Sequence, residues 1–224
     1  SSFSFNVQEI LEVCYNGSSE MVSQLSNAIM TFLFNIILMR LAGANGVAAI
    51  TILLYTQFLF NAFYLGFSIG ISPIVGYKYG ANELKELKHI YKVTFLFTAL
   101  SSVVIFAVAL ASTNGLVGVF THEKATYDLA VTGFKLFAIN FLFSGLNILS
   151  SGFFTALSNG KISALISFCR TLIFTSISLI FLSHIFGIIG AWIAVPLAEI
   201  LTLLLCVYLH RKYFLSENKI SYFD

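Results

Sequence analysis

Three charged residues lie in apolar stretches of the sequence, where a charge is costly and therefore informative. Arg170 and Glu199 occupy neighbouring apolar segments, and a rise of about 1.5 Å per residue places them at similar depth in two helices. We therefore expect them to form an ion pair, which suits either a structural clamp or a protonation switch. Glu20 suits a gating or ion-binding role, or a place in a first helical turn, where a carboxylate complements the helix dipole.

Polar side chains recur along single faces of four apolar segments, as the i, i+4, i+7, i+11 and i+15 spacing of the first shows. Buried carboxamides are costly in lipid, so we expect these stripes to border a hydrated cavity. Hydrogen bonding between helices is the alternative. The candidate cavity- and substrate-lining residues are Gln24, Asn27, Asn35, Gln57, Asn61, Tyr64, Asn140 and Asn147. Further stripe members are Thr31, Ser68, Ser144, Ser151, Ser163 and Ser167.

The composition is that of a bilayer protein. Hydrophobic residues make up 58% of the 224 positions and charged residues 10%, with a mean hydropathy of +0.91, whereas a soluble domain has about 25% charged residues. A net charge of +2 argues against a nucleic-acid partner. The three cysteines and four histidines lack ligand spacing, so we expect no metal and no cofactor. The motifs of hydrolases and P-loop enzymes are absent, which argues against an enzyme.

Six segments are long and apolar enough to cross a membrane as helices. They run roughly over 18–41, 47–71, 93–111, 134–158, 162–185 and 188–209. None alternates with period 2, so we expect an all-α polytopic membrane protein rather than a barrel. Short glycine-containing loops join the first and last pairs as tight hairpins. The similarity of GANGVAA (43–49) to GIIGAWIA (187–194) hints at an internal repeat.

Basic residues of the loops fall mainly on one side of these six spans, which predicts that this side is cytoplasmic. The side with more basic residues has Lys78, Lys85, Lys88, Lys92, Lys161, Arg211, Lys212 and Lys219, and the other has Arg40, Lys124 and Lys135. Both termini would then be cytoplasmic, in a plasma or inner membrane.

The sequence divides into a membrane-spanning lobe and two flanking segments. Residues 1–17 are predicted to be a linker with an amphipathic surface helix, 18–210 the lobe, and 211–224 a cytoplasmic tail. Residues 82–92 are predicted to form an interfacial helix, whose lysines suit a membrane anchor or a direct contact with substrate. The first methionine is Met21, inside the first span, so we expect a longer parent chain.

Several separated motifs, in order, resemble multidrug and toxic compound extrusion (MATE) transporters of the MOP superfamily. They are NGSSEMVSQLSNAIMTFLFN (16–35), GISPIVGYKYGA (70–81), GLN with SSGFFTAL (145–157), Lys161 and Arg170, and FGIIGAW followed by PLAE (186–199). The resemblance implies a transporter of two six-helix lobes, of which this chain matches the second. The missing N-terminal lobe, membrane lipid and small organic cations would be its partners.

The resemblance also implies a mechanism: sodium or protons move inward while the two lobes rock and export amphipathic organic cations. In some branches an acidic residue of the fourth helix binds the cation, whereas this stripe has Asn140 and Asn147. Glu20, Arg170 and Glu199 are therefore the candidate ion-coupling or gating residues. The alternatives are a flippase for lipid-linked intermediates, whose related fold has a basic cleft, and a membrane scaffold subunit that does not transport.

Overall fold

A computed structural model describes the backbone over 7–215 and the side chains over 24–214. Its helices are α1 (Val7–Gly80), α2 (Leu84–Phe120), α3 (Lys124–Phe137), α4 (Phe141–Ala156), α5 (Gly160–Phe168) and α6 (Thr175–His210). A 3-10 turn, Ala138–Asn140, joins α3 to α4, and a π-helical stretch, Cys169–Phe174, joins α5 to α6. A second π-helical stretch, Arg211–Leu215, continues α6. The described backbone contains no strand, which confirms the all-α prediction.

Four helical stretches of the described chain are long and apolar enough to cross a membrane, rather than the predicted six. They are Gln24–Gly80, Leu84–Phe120, Lys124–Ala156 and Gly160–Phe214. The first and last of them contain a glycine with non-helical dihedral angles, Gly43 (φ 63°, ψ −151°) and Gly187 (φ 58°, ψ −133°). Both glycines lie between predicted spans, so the difference in number arises at these two positions.

The chain folds back on itself just after each of these glycines. A Cβ atom on Gly46 would lie 2.7 Å from the carbonyl oxygen of Leu38, although eight residues of a straight helix span about 12 Å. A Cβ atom on Gly190 would collide with the carbonyl oxygen of Leu182, at the same separation in sequence. The two Gly-x-x-Gly sequences therefore produce the same reversal, the first glycine through its positive φ and the second by allowing close approach.

Two turns at the opposite end of the bundle also share one backbone pattern. The N–H groups of residues 81, 82 and 83 donate to the carbonyls of 77, 79 and 78, and those of 157, 158 and 159 donate to 153, 155 and 154. Asn82 (φ 58°) and Ser158 (φ 60°) occupy the left-handed position of the turns. These bonds satisfy carbonyls that a helix end leaves open. Glu83 takes the N-cap position of α2, without a side-chain capping bond.

At three of the predicted boundaries, the structure has helix that continues without a break. The predicted interfacial helix (82–92) and the third span form one helix, α2, of 37 residues. Its length of about 55 Å exceeds the ~30 Å hydrocarbon core, so it extends beyond the membrane. Helix α1 runs without a break from Val7 into the first span, and helical structure continues past 210 to Leu215. The apolar face predicted for residues 1–17 lies outside the described side chains.

Two apolar clusters hold the helices together. The first packs Phe34 and Leu38 of α1 against Phe134 and Trp192, near the reversals at Gly43 and Gly187. The second cluster lies at the other end of the bundle, beside the turns at Asn82 and Ser158. Its buried members are Val75, Leu87, Phe153, Phe154, Leu157, Ile162, Ile166, Cys206, Leu209 and Phe214. We call this end the basic end, because its turns and helix termini contain most of the described lysines.

Candidate functional site

A buried ion pair joins the helical region after α5 to α6. The guanidinium of Arg170 donates through Nη2 to Glu199 Oε1 (2.6 Å) and through Nε to both carboxylate oxygens (2.9 and 3.0 Å). The side chains are 18% and 4% exposed. Asn147 of α4 donates its Nδ2 to Glu199 Oε2 (2.7 Å) and to the Glu199 backbone carbonyl (2.9 Å). The predicted Arg170–Glu199 pair is thus confirmed, and it is part of a network that connects three elements.

The backbone around Arg170 is wider than an α-helix. Arg170 lies in the π-helical stretch, and the hydroxyl of Thr175 donates to its carbonyl oxygen at 2.7 Å. Backbone bonds of a π-helix join residues five apart, and this side-chain bond spans the same separation. Short π-helical stretches are rare in proteins, and those that occur are often found at functional sites. No residue type marks such a stretch, which is why sequence reasoning missed it.

The polar stripes of α4 and α5 face each other. The hydroxyl of Ser151 lies 2.8 Å from that of Ser163 and 3.0 Å from that of Ser167, and Thr155 donates to Ser163 at 2.8 Å. These are hydrogen bonds between helices, the alternative raised for the stripes.

The second half of α1 also directs polar groups at α4. Tyr64 donates to the carbonyl oxygen of Phe141 (3.1 Å), and Ser144 donates to the side-chain oxygen of Asn61 (3.1 Å). Gln57 donates to Asn140 at 3.4 Å. Tyr64, Asn140 and Asn147 are buried. The structure therefore places these three predicted cavity residues inside the lobe, where they join helices to one another.

The other five predicted cavity residues reach the surface of the described chain. Gln24 and Asn27 are exposed, and Asn35, Gln57 and Asn61 are partly exposed. We call these five residues the outer polar face. Glu20 also belongs to the first stripe, and its side chain lies outside those that the structure describes. The described residues contain no group of three or more His, Cys, Asp or Glu placed to hold a metal ion.

A buried histidine that sequence reasoning missed lies in the apolar cluster of the basic end. His210 is 3% exposed, and it stacks on Phe154 with ring centroids 4.6 Å apart. The other rings around it are those of Tyr91, Phe95, Phe153 and Phe214. These residues come from α2, α4 and the end of α6, so no local spacing in the sequence could have grouped them.

Comparisons with known proteins agree with this architecture. The MatE family model matches residues 21–180. The chain is 28% identical over 140 residues to multidrug and toxin extrusion protein 1 of Oryctolagus cuniculus, a match that covers 61% of this chain and 24% of that protein. It is 25% identical over 150 residues to the multidrug export protein MepA of Staphylococcus aureus, covering 66% of this chain and 33% of MepA.

A solved structure shows the same fold at lower identity. The outward-facing conformation of a multidrug resistance MATE family transporter of the MOP superfamily superposes with a TM-score of 0.85 at 20% identity. The match covers 94% of this chain and 48% of that one. The chain thus spans a quarter to a third of the curated relatives that it matches and about half of this structure. Because the family model covers more than half of its residues, the chain belongs to the MatE family.

Proposed function

We propose that this chain is one lobe of a multidrug exporter that moves amphipathic organic cations out of the cell. The observation that carries the proposal is the MatE match over 21–180, together with the likeness of 94% of the chain to half of a MATE transporter. The second lobe would be supplied by an N-terminal six-helix partner. Transport then proceeds by rocking of the two lobes about the cleft between them.

The lobe has six membrane crossings in this proposal. The reversals after Gly43 and Gly187 each divide one long helical stretch into two segments that run in opposite directions. Four long stretches, two of them folded in half, give six crossings. The basic end would face the cytoplasm of a plasma or inner membrane, because it has more lysine and arginine than the opposite end.

The outer polar face is the part of this lobe that we assign to the drug cleft. Gln24 and Asn27 are exposed, and Gln57 and Asn61 bond to Asn140 and to Ser144 of α4. Amide groups are neutral and both donate and accept hydrogen bonds, so on a cleft wall they can bind the polar parts of drugs that differ in charge. Tyr64 and Asn140 would support this wall from behind through their bonds to α4 and α1. Asn147 would hold α4 against α6 through its bonds to Glu199.

For ion coupling we propose sodium or protons, with Glu20, Arg170 and Glu199 as the coupling or gating residues. The network around Glu199 supports this choice, because it ties α4 to the two last helices through one carboxylate. Protonation or ion binding at Glu199 would weaken its bonds to Arg170 and Asn147 and release these helices. If Glu199 kept its bonds to Arg170 and Asn147 throughout transport, the network would instead be a structural clamp.

Flipping of a lipid-linked intermediate has less support. A diphosphate needs basic side chains along the cleft, and the guanidinium of Arg170 is already bound to Glu199. A scaffold subunit that does not transport would need no exposed amides on its wall.

Vesicles that contain the intact two-lobe transporter test the proposal. We expect efflux of ethidium that depends on a sodium or proton gradient, and no flipping of a lipid-linked sugar. Flipping without drug efflux would overturn the proposal in favour of the flippase, and neither activity would favour the scaffold. Vesicles with this chain alone are expected not to accumulate ethidium against its gradient.

A further inference from the structure

Charge is unevenly divided between the two ends of the described lobe. At the basic end, the described basic residues are Lys78, Lys85, Lys88, Lys92, Lys161, Arg211 and Lys212, and the acidic residues are Glu83 and Glu86. Toward the opposite end the corresponding residues are Arg40, Lys124 and Lys135, with Glu123 and Asp128. One of the two acids at the basic end, Glu83, is paired with Lys78. Among the residues whose side chains the structure describes, the remaining basic groups are therefore largely uncompensated.

Side-chain packing brings two of the basic segments together. The rings of Tyr91 and His210 are 5.2 Å apart, and those of Tyr91 and Phe214 are 5.0 Å apart. Lys92 follows Tyr91 directly, and Arg211 follows His210. Lysine and arginine thus lie beside the aromatic contact between α2 and the end of α6, although they are far apart in sequence.

The two sets of basic side chains point to the same side of this contact. Successive residues of an α-helix are rotated by about 100°, so Lys85, Lys88 and Lys92 share a face of α2 next to that of Tyr91. Arg211 lies roughly a quarter turn from His210, at the start of the π-helical stretch that continues α6. The chain runs away from the basic end in α2 and toward it in α6. Seen from that end, the step from Tyr91 to Lys92 and the step from His210 to Arg211 therefore turn in opposite senses. The two basic faces therefore lie on one side of the contact. Lys92 and Arg211 are exposed, whereas Phe153 and Phe154 of α4 are buried in the cluster that packs against both segments.

An apolar track continues each basic face toward the middle of the lobe. Leu96 (63% exposed) follows Lys92 by one turn on α2, and Leu204 (64% exposed) and Val207 precede Arg211 on α6. Tyr208 is exposed as well, and Lys212 Nζ lies 5.7 Å from the centre of its ring. Exposed tyrosine with an adjacent lysine is typical of the boundary between hydrocarbon and headgroups. A cationic rim above two apolar tracks matches the shape and charge of one phospholipid.

We propose that the groove between α2 and the end of α6 binds an anionic glycerophospholipid. Its phosphate lies among Lys88, Lys92 and Arg211, and its acyl chains lie along Leu96 and Leu204. Such a lipid site is separate from the proposed drug path, because its residues belong to α2 and the end of α6, whereas the outer polar face belongs to α1. It also explains why His210 is enclosed by rings: the ring cluster holds the two basic segments at a fixed separation.

Native mass spectrometry of the full chain in detergent, with phosphatidylglycerol and phosphatidylcholine in competition, tests this site. We expect retention of phosphatidylglycerol over phosphatidylcholine, and a loss of about 30-fold of that preference in K92Q/R211Q, since each basic group contributes about fivefold near a lipid surface. The matched variant R40Q/K124Q removes two exposed basic groups from the opposite end and is expected to keep the preference. Added salt is expected to weaken it.

Two further arms distinguish a bound lipid from a bound phosphate group and from general attraction to charge. Soluble glycerol phosphate at the same concentration is not expected to displace the lipid, because it lacks acyl chains for the apolar tracks. H210A is expected to lower the preference without removing an exposed charge, and H210F, which keeps a ring, is expected to retain it. Equal retention of both lipids, equal loss in the two double variants, or displacement by glycerol phosphate would each overturn the proposal. None of these measurements depends on transport.

Discussion

Two polar regions of the lobe use the same residue types in opposite ways. Asn147 is fully buried and donates two hydrogen bonds to Glu199, whereas Asn27 is exposed on the first helix. Both belong to stripes with the same helical spacing. The difference teaches that periodicity identifies a polar face but does not show whether that face meets a neighbouring helix or an opening.

The two regions also differ in what a substitution should change. In the buried network Arg170 and Asn147 both donate to Glu199, so removal of either leaves the buried carboxylate with fewer bonds. Asn27 of the outer polar face is exposed, so loss of its amide leaves no buried group without a bond in the described contacts. Substitutions in the network should therefore change stability first, and substitutions on the outer polar face should change transport first.

The largest effect is expected from R170M. It leaves the carboxylate of Glu199 buried without its cation, which should lower the free energy of unfolding by about 3–5 kcal/mol. The double variant R170M/E199L removes both charges and should recover most of this loss. Titration with SDS in mixed micelles measures both values. If R170M alone costs less than about 1 kcal/mol, the ion pair does not hold the helices together.

A smaller loss is expected from N147A, because Glu199 keeps its bonds to Arg170 but loses the amide donor. The expected decrease in unfolding free energy is about 1–3 kcal/mol. N114A is the control, since Asn114 is an exposed asparagine of α2. Equal free energies of unfolding for the two variants would show that Asn147 is not part of a stabilising network.

Much of the fold could be predicted from sequence because apolar length and glycine placement act locally. Runs of about 20 apolar residues define helices in a membrane, and the predicted pairing of Arg170 with Glu199 followed from the depth of each residue in its helix. The reversals at Gly43 and Gly187 were also predicted as hairpins. Six spans were predicted and four continuous helical stretches are found in the described chain, because a single glycine can reverse the chain without a loop.

The rest depended on which helix faces meet, and a single chain does not encode that locally. The serines of α4 and α5 bond to each other, and Tyr64 bonds to α4, because those helices are neighbours in the fold. The enclosure of His210 needed contacts among residues more than a hundred positions apart. The expectation that polar stripes border water therefore stays a proposal for the outer polar face, in which Gln57 and Asn61 also bond to neighbouring elements. The buried members Tyr64 and Asn147 are hydrogen-bonded between helices.

The hydroxyl groups that bond between α4 and α5 provide an intermediate case. S163A removes contacts to Ser151 and Thr155, and a hydrogen bond between membrane helices contributes about 0.6 kcal/mol on average. S112A is the matched control, because Ser112 bonds only to two carbonyls of its own helix in the described contacts. The same SDS titration should resolve a loss for S163A relative to S112A. A loss as large as that of N147A would remove the distinction between charged and neutral networks.

The smallest change in stability is expected from N27L, and it gives the sharpest contrast with the buried network. Asn27 is exposed, so the unfolding free energy should change by no more than about 0.5 kcal/mol. Ethidium efflux by the intact transporter should nevertheless fall, because the cleft wall loses an amide and gains an apolar branch. N114L makes the same replacement at an exposed site on α2 and should leave efflux unchanged. If N27L and N114L transport equally, the outer polar face does not line the drug path; if N27L unfolds as readily as N147A, its amide belongs to the interior instead.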